Sequence, residues 1–275
     1  MPAADCHVHV IDHRRFPFAG GTGYTPRADE SGTVEELEAC TAAHGLTHAL
    51  LVQPSGYGYD NRALVDALAR GRGRWKGIAV VSAEATEVML RGLGDAGVVG
   101  LRFNLTDFDA GGLGQKGMHR LLGAVADMGW FAELQCAAAD FPAAAALLAP
   151  SGMRLLIDHL AGFDPAGGLD QPGFRSLLDA AATGRAVVKL SGAFRRSRLP
   201  FPHADLDPFV AALLAAFTPG ACVWGSDWPF INSPRRPDYR HTLRLLDRWL
   251  PDARDRRSVL WETPAALFGF DREDR

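Results

Sequence analysis

The sequence predicts an α/β protein of one class, a single-domain (β/α)8 barrel with an additional C-terminal helix. Two observations carry this. Eight short apolar runs of strand length alternate with segments of helix length, and polar residues gather at the C-terminal ends of the apolar runs. The length of 275 residues and a composition of 47% hydrophobic and 22% charged side chains suit one large core. No shift in composition marks a linker, so residues 1–275 read as one unit. A doubly wound open sheet is the rival, but it would place a glycine-rich dinucleotide fingerprint after the first strand. Here His9 is followed by Val10-Ile11-Asp12.

The first strand spans 5–10. Alternate side chains share a face in an extended chain, so His7 and His9 should point one way and Cys6, Val8 and Val10 the other. A Pro/Gly-rich stretch over 16–32, containing Tyr24, reads as a long functional loop. Thr33 with Glu36 three residues on is a capping box, opening a helix that Gly45 closes. The run 48–52 has the continuous apolar character of a doubly buried parallel strand and ends in Gln53-Pro54-Ser55. The alternation then continues: helix 61–70, strand 77–81, helix 84–96, strand 98–104, helix 116–128, strand 130–135. Helix 141–148, strand 154–159, helix 173–182, strand 186–191, helix 206–217 and strand 222–227 follow, and helices 239–250 and 252–268 end the chain.

A net charge of −3 offers no basic field for nucleic acid or an anionic membrane surface. No apolar run approaches the ~20 residues needed to span a bilayer, and the N-terminus lacks a basic segment followed by an apolar one, so the expectation is a cytoplasmic protein. Cys6, Cys40, Cys136 and Cys222 are scattered without metal-type or redox spacing and read as reduced core thiols.

In a barrel of this kind the loops after the strands build the active site. Those ends carry His7, His9, Ser55, Arg102, Asn104, Gln135, His159, Ser191 with Arg195 just beyond, and Asp227. Each has an ordinary structural use alone: a helix cap, a turn, a surface ion pair. Together they put three imidazoles, one carboxylate and two guanidiniums on one rim, a set that can hold a water, an oxyanion or a metal.

His7-x-His9, His159 within Ile157-Asp158-His159, and Asp227 within Trp224-Gly225-Ser226-Asp227-Trp228-Pro229 resemble the amidohydrolase superfamily, amidohydrolase 2 type. Val52-Gln53-Pro54-Ser55, Gly100-Leu101-Arg102-Phe103-Asn104 and Val188-Lys189-Leu190-Ser191-Gly192 narrow the resemblance to the branch of 2-pyrone-4,6-dicarboxylate lactonase and related sugar-lactone hydrolases. The resemblance implies lactone opening, with Asp227 as the base for water and His7, His9 and His159 orienting water or polarising the carbonyl. It implies substrate binding by Arg102, Arg195, Ser55, Tyr24, Gln135 and Asn104. Two departures stand out: Thr106-Asp107-Phe108 where a second arginine belongs, and Gln135 where a tyrosine belongs. They favour a substrate with one carboxylate, or a hydroxylated sugar lactone, over a doubly charged pyrone.

His7, His9, His159 and Asp227 would also make a credible site for one Zn or Mn ion. The branch resembles a group that works without metal, and the fifth-strand segment has no lysine to bridge two ions, so no cofactor is expected. Glu133 shares a strand face with Gln135 and is expected to be a ligand or a buried partner of Arg102. A metal-dependent decarboxylase or lactone isomerase is the alternative within the superfamily, and a non-catalytic ligand-binding barrel the alternative outside enzymes. The expected partner is a small lactone or carboxylate, with no nucleic acid or membrane; assembly into homo-oligomers is open.

Overall fold

A computed structural model describes residues 1–20, 25–27, 30–106, 112–233 and 236–270. Eight strands form one sheet: β1 (Ala4–Val8), β2 (His48–Val52), β3 (Trp75–Ala79), β4 (Val98–Asn104), β5 (Phe131–Gln135), β6 (Arg154–Ile157), β7 (Ala186–Leu190) and β8 (Cys222–Trp224). They pair in chain order, every neighbour parallel. The seam closes just past the end of β8. Asp227 N–H donates to the His7 carbonyl and His9 N–H to the Trp228 carbonyl, each at 2.8 Å. The histidine strand and the Asp227 turn are thus tied by the bonds that complete the (β/α)8 barrel.

The helices are α1 (Val34–Ala43), α2 (Arg62–Gly71), α3 (Glu87–Asp95), α4 (Met118–Asp127), α5 (Phe141–Leu148), α6 (Pro172–Ala181), α7 (Ala193–Arg196), α8 (Asp207–Phe217), α9 (Tyr239–Trp249), α10 (Ala253–Arg257) and α11 (Thr263–Phe268). The expected capping box opens α1: Thr33 Oγ1 accepts from Glu36 N–H and the Glu36 carboxylate accepts from Thr33 N–H. The expected single helix over 252–268 is instead broken into α10, a wide turn over Ser258–Glu262 and α11. Pro264 explains the break, since it has no N–H for the carbonyl four residues back and its ring crowds that carbonyl, which widens the turn.

Two apolar layers sandwich the strands. The outer one packs Val8, Leu51, Leu101, Leu134, Val188 and Trp224 against the helices. The inner one takes Leu50, Ile78, Phe131, Leu156, Val187 and Val223, one from each of six strands, and is plugged by Trp261, Phe268 and Phe270 from the C-terminal segment. Cys6 belongs to this inner layer, not with Val8 and Val10 as strict alternation predicts. The pairing of β1 with β2 slips between Asp5 and Val8, and one inserted residue reverses the parity of the strand. His7 and His9 still share a face, their rings edge to face at 4.9 Å. Among the described residues no helix is long and apolar enough to cross a membrane, and the four cysteines are free thiols.

Candidate active site

Above the inner apolar layer the same strand faces turn polar. Two residues past Phe131 is Glu133 and then Gln135; past Leu156 is Asp158; past Val187 are Lys189 and Ser191. The period-two rule therefore stacks a charged tier on the apolar one, and a mouth on the charged tier.

The mouth is a small cavity of about 40 Å³. Of the ten candidate residues, eight line it: His9, Ser55, Arg102, Asn104, Gln135, His159, Arg195 and Asp227, joined by Ile231 and Asn232. His7 lies just beneath, wholly buried, and Tyr24 lies outside the described residues. A larger cavity of about 460 Å³ sits behind Ser191 and Gly192 under α9, but none of the three candidate histidines or Asp227 lines it.

Asp227 is the hub. Its Oδ2 accepts from Arg195 Nε, its Oδ1 is 3.4 Å from His9 Nε2 and 3.9 Å from His7 Nε2, and His159 Nε2 is 3.9 Å from Oδ2. Its backbone is left-handed at φ 68°, as is that of His159 at φ 50°, a conformation that non-glycine residues hold only where surrounding structure imposes it. Neither residue sits in the regular strand expected for it; both are on the turns that follow. Glycines make room for them. A Cβ on Gly192, at φ +66°, would lie 2.6 Å from His159 Nδ1, and one on Gly225 would lie 2.5 Å from His7 Cβ.

Orientation comes from the second ring nitrogens. His9 Nδ1 is 2.8 Å from the Val52 carbonyl, and His159 Nδ1 is 3.1 Å from Ser191 Oγ. Arg102 donates to the Gln53 carbonyl at 3.1 Å and to Gln135 Oε1, and its guanidinium lies 3.6 Å from both Glu133 and Asp158. Asn104 donates to Ser55 Oγ at 3.0 Å and accepts from Thr106 N–H and Oγ1–H. Thr106, standing near the expected second arginine, thus serves the mouth through Asn104 and Gln135.

The charged tier holds what sequence reasoning underused. Lys189 Nζ lies 2.5 Å from Glu133 Oε2, 3.1 Å from Asp158 Oδ1 and 3.1 Å from His7 Nδ1, all with fully buried side chains. Glu133 is the buried partner of Arg102 that its face suggested, and the Asp158 side chain, which makes no capping bond to the turn after it, completes this cluster. Lys189 carried its own signal: a lysine inside the run Ala186-Val187-Val188-Lys189-Leu190 must find anionic partners or leave the core. Asp5 was also missed. It accepts from His7 N–H, Ser226 N–H and Tyr239 O–H at 3.1, 2.9 and 2.7 Å, fastening β1 to the Asp227 turn and α9, while burial pushes its carboxyl up to about 6.

Burial sets the charge states. It drives His7 well below its ordinary range, aided by the Lys189 ammonium, lowers His9, and pushes His159 down to about 4. Burial alone would raise Asp227, but the Arg195 guanidinium holds it well below the usual carboxylate range. Near neutral pH the mouth therefore presents neutral imidazoles to an ionised carboxylate. In the tier below, burial and the Asp158 charge push Glu133 up to about 8. Asp158 stays ionised because Lys189 and His7 outweigh its burial.

Two sets of ligand-type atoms come within 4.8 Å: His7, His159 and Asp227, and His7, Glu133 and Asp158. His9 is outside both trios. The Lys189 ammonium already fills the second set. In the first, Arg195 engages Asp227, and the far nitrogen of His7 meets an ammonium. A metal-bound histidine normally gives that nitrogen's proton to a carbonyl or carboxylate. The donor types suit a divalent ion; the surroundings of His7 and Asp227 do not.

The amidohydrolase family profile matches residues 4–270, nearly the whole barrel. The chain belongs to the amidohydrolase family. This amidohydrolase is 32% identical over 272 residues to a 4-sulfomuconolactone hydrolase of Rhizobium radiobacter, covering 97% of this chain and 90% of the relative. It is 26% identical to a D-galactarolactone isomerase of Agrobacterium fabrum over 97% of this chain and 90% of that one. In structure it superposes with a TM-score of 0.89 and 31% identity on a Pseudomonas putida protein described as a 2-pyrone-4,6-dicarboxylic acid hydrolase, covering 98% of both. The fold and the family expected from the sequence both hold.

Proposed function

We propose that this chain is a one-domain lactone hydrolase that opens a small cyclic ester bearing one anionic group, using Asp227 to activate water and no resident metal. One observation supports this most directly. His7 Nε2 and Asp227 Oδ1 are buried, have no hydrogen-bond partner, and lie 3.9 Å apart at the floor of the mouth. Buried polar atoms are rarely left so, and an oxygen seated between them would satisfy both. In the proposed step a water there gives its proton to Asp227 Oδ1 as its oxygen attacks the lactone carbonyl. The oxyanion that develops is met by imidazole N–H and Arg102 donors in a dry site, where such bonds count most. Collapse breaks the ring C–O bond, and Asp227 returns the proton to the leaving alkoxide.

Arg195 and Arg102 supply the anion recognition, since a guanidinium fork matches a carboxylate or sulfonate. Arg195, with 19% of its side chain exposed, is shared between Asp227 and the incoming anion. When it turns to the substrate, Asp227 loses its strongest counter-charge and becomes a better base. The related lactone hydrolase and lactone isomerase both fit such a site, so the product decides between them.

The test is a pH-indicator screen of purified protein against aldonolactones, muconolactones with and without a sulfonate, and pyrone carboxylates, with NMR of the products. Net acid release and an opened ring are expected. A product that keeps its lactone ring would establish isomerisation instead, and activity lost on exhaustive chelation and restored by zinc would overturn the metal-free reading.

A further inference from the structure

Lys189 has no part in those steps, yet it is wholly buried and reaches the histidine strand, 182 residues away in sequence. An ammonium has three N–H donors and accepts nothing. Two are taken by hydrogen bonds to Glu133 Oε2 and His7 Nδ1, and Asp158 Oδ1 lies 3.1 Å away as an ion-pair partner. A neutral imidazole carries one proton on two nitrogens, so the nitrogen that faces the ammonium must be the bare one. Asp158 Oδ1 is 3.2 Å from the same nitrogen and 3.1 Å from the ammonium but lies off the hydrogen-bond direction of both, so it balances the Lys189 charge and does not claim a proton on Nδ1, which faces the ammonium. His9 is the opposite case. Its Nδ1 is 2.8 Å from the Val52 carbonyl, which can only accept, so Nδ1 carries the proton and Nε2 is bare.

We infer that Lys189 is a positioning residue that holds the two histidines of the first strand in opposite tautomers, His7 offering an Nε2–H donor and His9 a bare Nε2 acceptor to the same cavity. The pair then divides the work on a water seated between His7 and Asp227. His7 donates to the water oxygen and fixes where its lone pair points, while Asp227 and His9 compete only for its protons. The same arrangement makes His7 a poor metal ligand. Binding an ion through Nε2 would move its proton to Nδ1, straight at the ammonium. The inference deepens the hydrolytic reading above and rests on it for the effect on rate, but tautomers are read without turnover, so the two can fail separately.

The experiment is long-range 1H–15N correlation NMR on the wild-type protein with 15N-labelled histidine, assigned with His7→Gln and His9→Gln. The expected spectrum has a pyridine-type Nδ1 and pyrrole-type Nε2 for His7 and the reverse for His9. A pyrrole-type Nδ1 on His7 overturns the inference. The Lys189→Met/Glu133→Gln double variant removes the ammonium and the carboxyl group it donates to, and leaves Asp158 to accept from His7. Its His7 should switch to Nδ1–H, its kcat should fall by ~10²-fold or more, and its affinity for zinc ion alone should rise by ~10-fold or more. A merely structural lysine predicts a less stable variant with unchanged His7 shifts and kcat, which also overturns the inference. If the double variant does not fold, the wild-type spectrum decides alone.

Discussion

Replacing Asp227 by Asn tests the hub of the site. The change is isosteric, and Asn tolerates left-handed backbone well, so the φ of 68° adds no new strain. What disappears is the charge facing Arg195, and the only carboxylate within 4 Å of the Nε2 atoms of His7, His9 and His159 among the described residues. Losing a general base costs ~10²–10⁴ in rate, about 3–5 kcal/mol of barrier. The folded state suffers less. Arg195 also donates to the Ile231 carbonyl at 2.9 Å and is partly solvated, so the cost falls between a surface and a buried ion pair, about 1–2 kcal/mol. For a chain of this size that lowers Tm by roughly 2–8 °C. The assay is the initial rate on a cognate lactone at pH 7, run beside thermal unfolding. A folded Asn variant retaining kcat within tenfold of wild type would remove Asp227 from the mechanism.

Three further outcomes are expected. His159 titrates at about 4 in the folded chain against an ordinary 6.5, so the unfolded state takes up the proton first as pH falls. The stability this gives is complete above pH 6.5 and declines toward pH 4, by about 3 kcal/mol; because the raised carboxyls of Asp5 and Glu133 act in the opposite sense, the check is the urea midpoint of wild type relative to His159→Gln, and a difference that does not shrink between pH 7 and pH 4.5 would contradict it. Gly192→Ala should reduce activity at least tenfold by driving His159 from its seat, whereas Gly184→Ala, at a similar positive φ with open space around it, should lose only ~1–2 kcal/mol of stability and keep its kcat; equal kinetics for the two would refute the crowding argument. Thr33→Ala removes the cap of α1 and should cost about 1 kcal/mol, a Tm drop of roughly 2–4 °C, with unchanged turnover.

Much of the candidate site was legible because it follows from strand ends. His7, His9, Ser55, Arg102, Asn104, Gln135 and the polar residues after β6, β7 and β8 could be assigned to one rim from the βα alternation alone, and the structure draws all but His7 and Ser191 around one cavity, with His7 just beneath it. Glu133 could be read as inward-facing from its parity with Gln135. The side of Cys6 could not, because a slip of one residue in pairing leaves no mark in composition. The left-handed turns at His159 and Asp227 were likewise hidden, since neither residue type demands that backbone. Tyr24 stays an expectation from the sequence, outside the described residues.

The sequence by itself determined the number and order of the βα units and the kinds of side chain delivered to the mouth, because periods of 2 and 3.6 and turn chemistry are short-range properties of the chain. Only the tertiary structure decided what those side chains are chemically. That Lys189 from β7, Glu133 from β5, Asp158 after β6 and His7 from β1 share one dry cluster depends on barrel closure. Desolvation and the charges gathered there set which imidazoles are neutral and on which nitrogen each proton sits.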